Sequence, residues 1–484
     1  SGAALTAATV NVDSVSTLTL NNAKKNTTVQ IIDGTATGGW ADAEAKQYTA
    51  DETPEGLNVG DKVKLFTINK DGGFVITIDK AGASFVDPSD STEDGIPTSI
   101  VNVATLMSDS EDEKVQKFMD ALSDIEDAQG SAAASNAVET VANMSAVAGV
   151  QSGTASMVNS IVNNLSFNLG SSARPNLMSG SKGGLRNTAN DNGEVKIDTV
   201  EVGKAADVMP ERYLAKAYNK EVWASYIHSK QRVDGLKAGM LSNQSTMQYN
   251  GVTVGADLWS GKHSFGGVAL SYADGNINAG NLRNDTDYYG VSIYNRHDYK
   301  GLIMLTDVSY THSKNDINIS GVQEITADAK ADAIGVGVRF ETPVTMGKTT
   351  VTPYAGARYT YLKNKDYKNN LGMEYDTDNQ NLVTIPVGLQ ISAEFAMSES
   401  DWTFRPVLEG GYVWNLGDRD GNTKIGYMDA YDSVGFETSD PGQYFIRAAM
   451  QFAKADFTCE VGYRYSKGKS VRDNRWNVNM NYAF

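Results

Sequence analysis

The chain has 484 residues, about three domains of ordinary length, with 40% hydrophobic and 21% charged residues and a mean hydropathy of −0.36. Its formal net charge of −17 argues against a nucleic-acid binder, and its single cysteine excludes a disulfide framework and a cysteine-based zinc site. No apolar run approaches the roughly 18 residues of a membrane-spanning helix, so the composition alone fits a soluble acidic protein, although its 46 glycines and 23 tyrosines leave a membrane β-barrel open.

Residues 1–108 predict a β-rich unit. Its segments of strand-forming composition are separated by Gly, Asn and Asp turns: TVNVDSVSTLTL (9–20), TTVQIID (27–33), KVKLFTI (62–68) and GFVITID (73–79). Several short strands of this kind suit a parallel β-helix, and a small independent β-sandwich is the alternative. The chain opens Ser1-Gly2-Ala3-Ala4 with no Met and no leader, which predicts a processed fragment.

Residues 109–169 predict a helical linker. The Ser-Asp-Ser sequence at 108–110 supplies an N-cap, acidic residues follow at the positive end of the helix, and apolar residues recur at three-and-four spacing from Val115 to Ile125. The later part has small and amide side chains, which suit the inside of a polar tube better than a hydrophobic core. Residues 170–219 are rich in Gly, Ser and Asn and then charged, and they predict a connector.

Residues 220–484 alternate between apolar and polar side chains with a period of two. In the last ten residues, RWNVNMNYAF, aromatic and aliphatic side chains fall on one parity and three asparagines on the other. The alternation recurs in about a dozen segments, an even number that is typical of bacterial membrane barrels. These segments include 302–310, 334–340, 383–395, 402–414, 444–452 and 457–466.

Two features favour a transmembrane barrel over a soluble sandwich. The polar face carries Arg, Glu, Asp and Gly, whereas the interior of a small soluble barrel is filled with apolar side chains. Very short turns alternate with longer polar connections, which are predicted as loops at 231–246, 274–287, 314–327, 363–380 and 416–441. The predicted fold is therefore mainly β: a 12-stranded antiparallel transmembrane barrel with a helix in its lumen, preceded by a short parallel β-helix-like unit.

The order of a β-helical stretch, a small-residue helix and a C-terminal barrel ending in an aromatic residue resembles the type Va autotransporters of Gram-negative bacteria. The resemblance is most specific in blocks such as VWASYIHSK (222–230), YNGVTVGADLW (249–259) and LEGGYVWNLGDRD (408–420). It implies a barrel at 220–484 that acts as a translocator in the bacterial outer membrane and secretes and displays its own N-terminal passenger. Residues 1–108 would then be the C-terminal end of that passenger.

The resemblance also implies partners. The barrel would be a monomer in outer-membrane lipid, inserted by the barrel assembly machinery with the help of periplasmic chaperones, and neither nucleic acid nor a cofactor is expected. Tyr482 and Phe484 match the C-terminal signal that this machinery reads, and Asn477 supplies its polar residue, although Asn479 stands where glycine is usual. The connector at 170–219 departs from the family, in which the lumen helix runs almost directly into the first strand.

Two sets of residues are candidates for function inside the barrel. Asn163-Asn164 resembles the scission site of autotransporters that cut themselves, where the Asn163 amide would attack its own backbone carbonyl with help from lumen carboxylates. A pair of hydrogen-bonding amides is the alternative. The charges of lumen parity are expected to contact the linker helix or, alternatively, only to hydrate the pore: Asp257, Asp307, Arg339, Arg358, Glu394, Arg405, Glu409, Arg447, Glu460 and Arg464.

The remaining reactive side chains predict neither a catalytic set nor a metal site. The histidines, His228, His263, His297 and His312, are scattered near strand ends, and Cys459 falls on the lipid parity as a small apolar residue. An outer-membrane porin, which would conduct ions, is the alternative function. A self-cleaving translocator is the second alternative, and a hydrolase in the outer loops has no supporting set of residues.

Overall fold

The computed structural model describes residues 5–20, 28–59, 63–81, 98–142, 144–170, 220–261, 263–397 and 402–484. The helices are α1 (Val101–Ser108), α2 (Glu113–Gln129), α3 (Ser131–Ala142) and α4 (Met144–Leu169). The strands are β1 (Leu5–Asn11), β2 (Leu18–Leu20), β3 (Thr28–Thr37), β4 (Gln47–Thr49), β5 (Leu57–Val59), β6 (Val63–Asn69), β7 (Gly73–Ala81), β8 (Glu221–Ala238), β9 (Leu241–Ser260), β10 (Ser264–Ala279), β11 (Leu282–Tyr299), β12 (Leu302–Ile319), β13 (Ile325–Glu341), β14 (Val344–Met346), β15 (Thr349–Asn364), β16 (Tyr367–Lys368), β17 (Glu374–Thr377), β18 (Gln380–Ala393), β19 (Phe395–Ala396), β20 (Thr403–Gly417), β21 (Asp420–Tyr427), β22 (Ala430–Glu437), β23 (Gly442–Lys454), β24 (Phe457–Lys467) and β25 (Val471–Ala483). Within these ranges, no helix has both the length and the hydropathy that crossing a membrane requires.

The N-terminal unit is a five-stranded mixed sheet with the order β1-β3-β7-β6-β4, beside the small pair β2–β5. The pairs β1–β3 and β2–β5 are parallel, as a β-helix-like stack requires, whereas β3–β7, β6–β7 and β4–β6 are antiparallel. Apolar side chains of alternate parity form its core, in which Trp40 meets Phe74 edge-on with ring centroids 5.0 Å apart and Tyr48 stacks on Phe66.

The helical region begins differently from the prediction. α1 lies within the stretch that the sequence assigned to the β-rich unit, and the N-cap of α2 is Asp112 rather than a residue at 108–110. The Asp112 carboxylate accepts hydrogen bonds from the backbone amides of Lys114 at 2.8 Å and Val115 at 3.3 Å. Residues 108–112 are all short polar or acidic residues that could act as an N-cap. The helix begins after the one whose side chain accepts hydrogen bonds from the unpaired backbone amides of its first turn.

Twelve long strands close into an antiparallel barrel, which confirms the predicted fold: β8 to β13, β15, β18, β20, β23, β24 and β25. β25 pairs with β8, so that Tyr482 lies opposite Val222 and the sheet has no free edge in the hydrocarbon region. Side chains alternate along each strand. In β25, Asn477 and Asn479 are buried inside, whereas Trp476 and Tyr482 are about half exposed on the outer face.

The two ends of the barrel differ in height. One end is called the short-turn end. Tight turns such as Lys300-Gly301 join the strands there, and the first and last residues of the barrel lie at the same end. At the other, the hairpin end, β8 to β13 continue to lengths of 16 to 20 residues, although about 9–11 residues span a bilayer. The loop predicted at 231–246 is therefore wrong: β8 and β9 run through it to a two-residue turn at Gly239-Met240. Similarly, most of 274–287 and 314–327 is strand, because the protruding hairpins keep pairing with one another.

Residues 98–142, called the helical cap, cover the hairpin end. The Asp432 carboxylate, in the hairpin of β21 and β22, accepts hydrogen bonds from Asn102 Nδ2 at 2.8 Å and from the backbone amide of Val103 at 3.0 Å, at the start of α1. Ser110 Oγ lies 2.6 Å from the hydroxyl of Tyr427 in the same hairpin. The buried faces of α1 and α2 share one apolar cluster with residues of the protruding hairpins. The cap therefore belongs to the hairpin end and not to the N-terminal sheet.

Glycines on the barrel wall give room to large aromatic rings. A Cβ added at Gly255 would lie 2.2 Å from Cε2 of Trp223, whereas one added at Gly410 would meet nothing closer than 3.7 Å. We therefore expect Gly255→Ala to destabilise the barrel by about 1–3 kcal/mol, because the indole cannot move without displacing its neighbours. Gly410→Ala is the matched control, with little expected change. The measurement is the temperature at which the purified barrel loses its compact, fast-migrating form in SDS gels, and equal temperatures for the two variants would contradict the expectation.

Candidate functional site

The helix α4 lies inside the barrel against the wall of β8 to β13, as predicted for the linker helix. Its hydroxyl side chains bond to the wall: Ser156 Oγ donates to Gln231 Oε1 at 2.6 Å, and Ser160 bonds to Tyr249. Ser152 Oγ donates to the carbonyl of Thr438 at 2.8 Å, near the hairpin end. Small and aliphatic side chains of α4 complete the contact in an apolar cluster with this wall: Ala155, Met157, Val158 and Ile161.

Two further properties of α4 fit it to this position. A Cβ at Gly153 would lie 2.3 Å from Cδ1 of Ile277 and 3.2 Å from Sδ of Met247, so the helix approaches the wall closely at a residue without a side chain. In addition, residues 144–169 contain no charged side chain. The described part of the helix is therefore held in the lumen by close packing, hydrogen bonds from its hydroxyl groups and apolar contacts rather than by ion pairs.

The opposite wall carries a buried network centred on Glu460. Its carboxylate pairs with the Arg447 guanidinium and accepts hydrogen bonds from Gln451 Nε2 at 2.5 Å, Asn479 Nδ2 at 3.1 Å and Asn477 Nδ2 at 3.4 Å. These donors come from β23 and β25, on both sides of the Glu460 strand β24. Because every member is buried and charged or amide-bearing, the network ties the last three strands together only while it is complete.

A second part of the network reaches the strands before β23. Arg447 Nη1 lies 3.4 Å from Glu409 Oε2, and the Glu409 carboxylate accepts a hydrogen bond from the Tyr354 hydroxyl at 2.5 Å. The Arg339 guanidinium stacks over the Tyr354 ring at 3.8 Å and pairs with Glu341 at 2.8 Å. A chain of polar contacts therefore crosses the lumen face from β13 to β25.

Asp307 and Arg358 form a separate ion pair at 2.6 Å across an intervening strand. Gly337 lies opposite both residues in register, and a Cβ there would be 2.3 Å from Arg358 Nη2. Asp257 accepts a hydrogen bond from the Tyr294 hydroxyl at 2.8 Å, and this hydroxyl accepts one from Trp223 Nε1 at 3.0 Å. Both sites are buried.

The other predicted lumen charges differ in environment. Arg405 is buried and donates to Ser392 Oγ at 3.0 Å, and Arg464 stacks over the Phe445 ring at 3.8 Å. Glu394 lies beyond the end of β18 at the short-turn end, where its side chain is exposed. Half of the ten predicted charges thus pair with one another: Asp307 with Arg358, and Arg447 with Glu409 and Glu460. Their contact with the linker helix stays a prediction, since the side chains at 162–169 of α4 lie outside the described part of the structure.

A cavity of about 170 Å³ separates α4 from the charged wall. On the helix side it is lined by Ala155, Ser156 and Ser160. Its charged lining on the wall side consists of five arginines and three acidic residues: Arg339, Arg358, Arg447, Arg464, Arg475, Glu409, Asp440 and Asp473. The helix therefore fills only one side of the lumen and leaves hydrated space on the other.

The sequence analysis missed several members of this site. Asp473, Arg475 and Glu341 have the lumen parity of their strands, so the alternation would have found them if the strands had been extended to their true ends. Tyr354 and Tyr294 are buried inside the barrel, whereas aromatic residues of membrane barrels are enriched at the two membrane interfaces, and no local sequence signal separates the two positions. Asn163 and Asn164 lie in the second half of α4, and their side chains are outside the described part of the structure.

The remaining candidates lie outside the charged wall. His228 Nδ1 lies 2.9 Å from Asn250 Oδ1, and His312 Nδ1 lies 2.7 Å from Asp332 Oδ1. His263 and His297 lie at the short-turn end, and the partly buried Cys459 has the outer-face parity of Val461. Within the described residues, no group of three or more His, Cys, Asp or Glu is arranged to hold a metal ion. Among the C-terminal residues, Phe484 is exposed and its backbone amide donates to the carbonyl of Lys220 at 2.9 Å.

Comparison with known families gives the barrel its name. The family model of the autotransporter β-domain matches residues 222–453, which begin in β8 and end in β23. Residues 222–453 are an autotransporter β-domain. The barrel is thus a translocator of the bacterial outer membrane. In bacterial outer-membrane barrels the short turns face the periplasm and the longer connections face the cell exterior.

Several solved structures are similar to the autotransporter barrel in fold. They are the translocator domain of the autotransporter NalP from Neisseria meningitidis (15% identity, covering 55% of this chain and 89% of that one, TM-score 0.45), the β-domain of the Bordetella autotransporter BrkA (16% identity, 55% and 100%, TM-score 0.44) and the transport unit of AIDA-I from Escherichia coli (15% identity, 55% and 90%, TM-score 0.41). No curated protein matches the sequence.

The outer face of the autotransporter barrel matches its membrane. Exposed aliphatic side chains form its middle, and tyrosines near the hairpin end donate their hydroxyls to polar residues of the neighbouring strand. Tyr226 donates to Asn250 at 2.9 Å, Tyr272 to Asp287 at 3.0 Å and Tyr359 to Asn381 at 2.6 Å. These tyrosines mark the outer edge of the apolar band, with their rings in the interface.

Proposed function

We propose that this translocator exports the chain that precedes α4 and holds it at the cell surface. The observation that supports this is the path of the chain: α4 runs through the lumen, and the helical cap before it lies on the hairpin end, bound to Asp432. Residues 1–108 are the C-terminal end of the passenger, 109–169 the linker and 170–219 a connector to the barrel at 220–484. Within this scheme α1 belongs to the cap, although it precedes residue 109.

The assembly of the barrel is also part of the proposal. The chain reaches the outer membrane with periplasmic chaperones and is inserted as a monomer by the barrel assembly machinery, which reads Tyr482 and Phe484 with Asn477 as the polar residue of the signal. The exposed aromatic side chains of the last strand support this, since a partner can reach them before the barrel closes. Residues 171–219 lie outside the described residues, so their side of the membrane is left out of the scheme.

The experiment that tests export is surface proteolysis of intact cells that express the chain with an epitope after Ser1. We expect added protease to remove the epitope while the barrel stays intact, because the N-terminal sheet would lie outside the cell. A matched chain with an epitope on a short turn of the barrel, at Lys300-Gly301, should be protected. An N-terminal epitope that is digested only after the outer membrane is opened would contradict the proposal.

Self-cleavage at Asn163-Asn164 is a second candidate function. Its support is the position of this pair on α4, two residues after Ile161, whose side chain packs inside the barrel. There the Asn163 amide nitrogen would attack the Asn163 carbonyl carbon, giving a succinimide and a new N-terminus at Asn164. We expect the wild-type chain to separate into two fragments in SDS gels and Asn163→Gln to stay intact, with Asn159→Gln as the matched control. One intact band in all three chains would rule cleavage out.

A further inference from the structure

Three arginines lie directly opposite one another on the lumen wall, where β23, β24 and β25 run side by side. Arg447 is in register with Arg464, and Arg464 is in register with Arg475. These residues are called the arginine row. Like charges in directly opposite positions destabilise a sheet, so the row is kept at a cost to the fold.

Three acidic residues contact the row and equal it in number, but they pair with only two of its arginines. Arg447 pairs with Glu460 and Glu409, and Arg475 pairs with Asp473 at 2.6 Å. Arg464, in the middle, has Ser466 as a hydrogen-bond partner at 3.3 Å, and within the described residues no carboxylate lies within 4 Å of its guanidinium. All three arginines line the cavity beside α4, so the guanidinium of Arg464 lies beside hydrated space without a contacting carboxylate among the described residues.

The resident helix does not account for this charge. α4 contains no charged residue, and apart from the bond of Ser152 to Thr438 its described side-chain hydrogen bonds and apolar contacts are to the wall of β8 to β13 and its neighbours. The helical cap that precedes it in the chain has nine acidic and two basic side chains, and it lies on the hairpin end of the barrel. The segment that would cross the lumen during export is thus strongly negative, and the segment that stays there is neutral.

We propose that the arginine row binds the carboxylates of the helical cap while this segment crosses the lumen, and so speeds its export. The proposal rests on the proposed function. Binding is transient because the uncharged α4 replaces the acidic segment in the lumen at the end of export, and α4 has no carboxylate that the row could bind. The screening length of electrostatic interactions is about 10 Å at 0.1 M salt. The row can therefore attract carboxylates across much of the width of a narrow lumen.

The test is a pulse-chase measurement of the time at which the N-terminal epitope becomes accessible to protease on intact cells. We expect Arg464→Gln to lengthen the half-time by about threefold or more, since charge complementarity changes association rates by this amount or more. Arg464→Lys keeps the charge and should export like the wild type. Arg405→Gln is the matched control, because Arg405 is a buried lumen arginine that does not line the cavity.

Folding is measured separately in the same variants. Arg464→Gln should keep or raise the temperature at which the barrel unfolds, because it removes repulsion within the row. If Arg464 only stabilises the barrel, Arg464→Gln should instead lower the unfolding temperature and leave the export of correctly folded chains unchanged. That second pattern would overturn the proposal.

The partner is identified by a second set of substitutions in the helical cap. Glu111→Gln, Glu113→Gln and Asp124→Asn remove three exposed carboxylates, and in this background Arg464→Gln should slow export little further. Equal slowing in both backgrounds would overturn the proposal. The proposal would also be overturned if Arg464→Gln altered the reversal potential of purified barrels in a KCl gradient but left the export half-time unchanged. The row would then bind small anions in the pore rather than the helical cap. If the wild-type epitope never reaches the surface, the proposed function itself fails, and this is seen without any variant.

Discussion

A chain that begins at residue 170 is expected to conduct ions several-fold better than the full chain when reconstituted into a planar bilayer. A helix is about 10–12 Å wide with its side chains, and α4 takes one side of the lumen while the helical cap covers its outer mouth. Removing both leaves a barrel whose inner face has an apolar patch where α4 lay and buried polar and charged side chains on the opposite wall, so water and ions can fill it.

The matched control for this experiment is a chain that begins at residue 98. It lacks the N-terminal sheet but keeps the helical cap and α4, and it should conduct as little as the full chain. The comparison separates the plug from the mere length of the extracellular part. Equal conductance of the two truncated chains would contradict the expectation, and high conductance of the full chain would instead favour the porin alternative.

The second large effect is expected at Glu460. Glu460→Ala should destabilise the barrel by about 3–5 kcal/mol, because it leaves the buried Arg447 guanidinium and three amide donors without their shared acceptor. The measurement is the unfolding temperature of the purified barrel in detergent, read from the loss of its compact form in SDS gels.

Two further variants make the Glu460 experiment decisive. Glu394→Ala removes an exposed carboxylate at the short-turn end and should change stability by less than about 0.5 kcal/mol. Glu460→Ala with Arg447→Met should recover part of the loss, since the uncompensated charge is then absent. If Glu460→Ala unfolds at the wild-type temperature, or if the double variant is no more stable than the single one, the network does not hold these strands together.

Much of the fold could be predicted because each strand of a membrane barrel faces two solvents. Lipid selects apolar side chains and the lumen selects polar ones, so the period-two alternation of a segment such as 475–484 is set locally, whatever the neighbouring strands are. The same reasoning holds for α4, whose small and amide side chains fit a narrow polar lumen. The helical start at Asp112 and the strands at 231–246 were missed because alternation and capping signals continue past the ends of the elements.

The site depends on positions that the alternation leaves undetermined. The alternation along each strand predicts that Arg447, Arg464 and Glu460 face inward. Only the register between β23 and β24 places Arg447 opposite Arg464 and within reach of Glu460, which lies diagonally across from it. The same register sets the Asp307–Arg358 pair across Gly337.

The sequence by itself determined the barrel, the number of its strands, the helix in its lumen and the inward direction of most of the lumen charges, Glu394 being the exception. Only the tertiary structure decided which charges pair, where α4 leaves a cavity and that the helical cap binds Asp432 at the outer mouth. The physical reason is that solvent selects each residue type one position at a time, whereas ion pairs and cavities depend on how distant strands are aligned and tilted when the barrel closes.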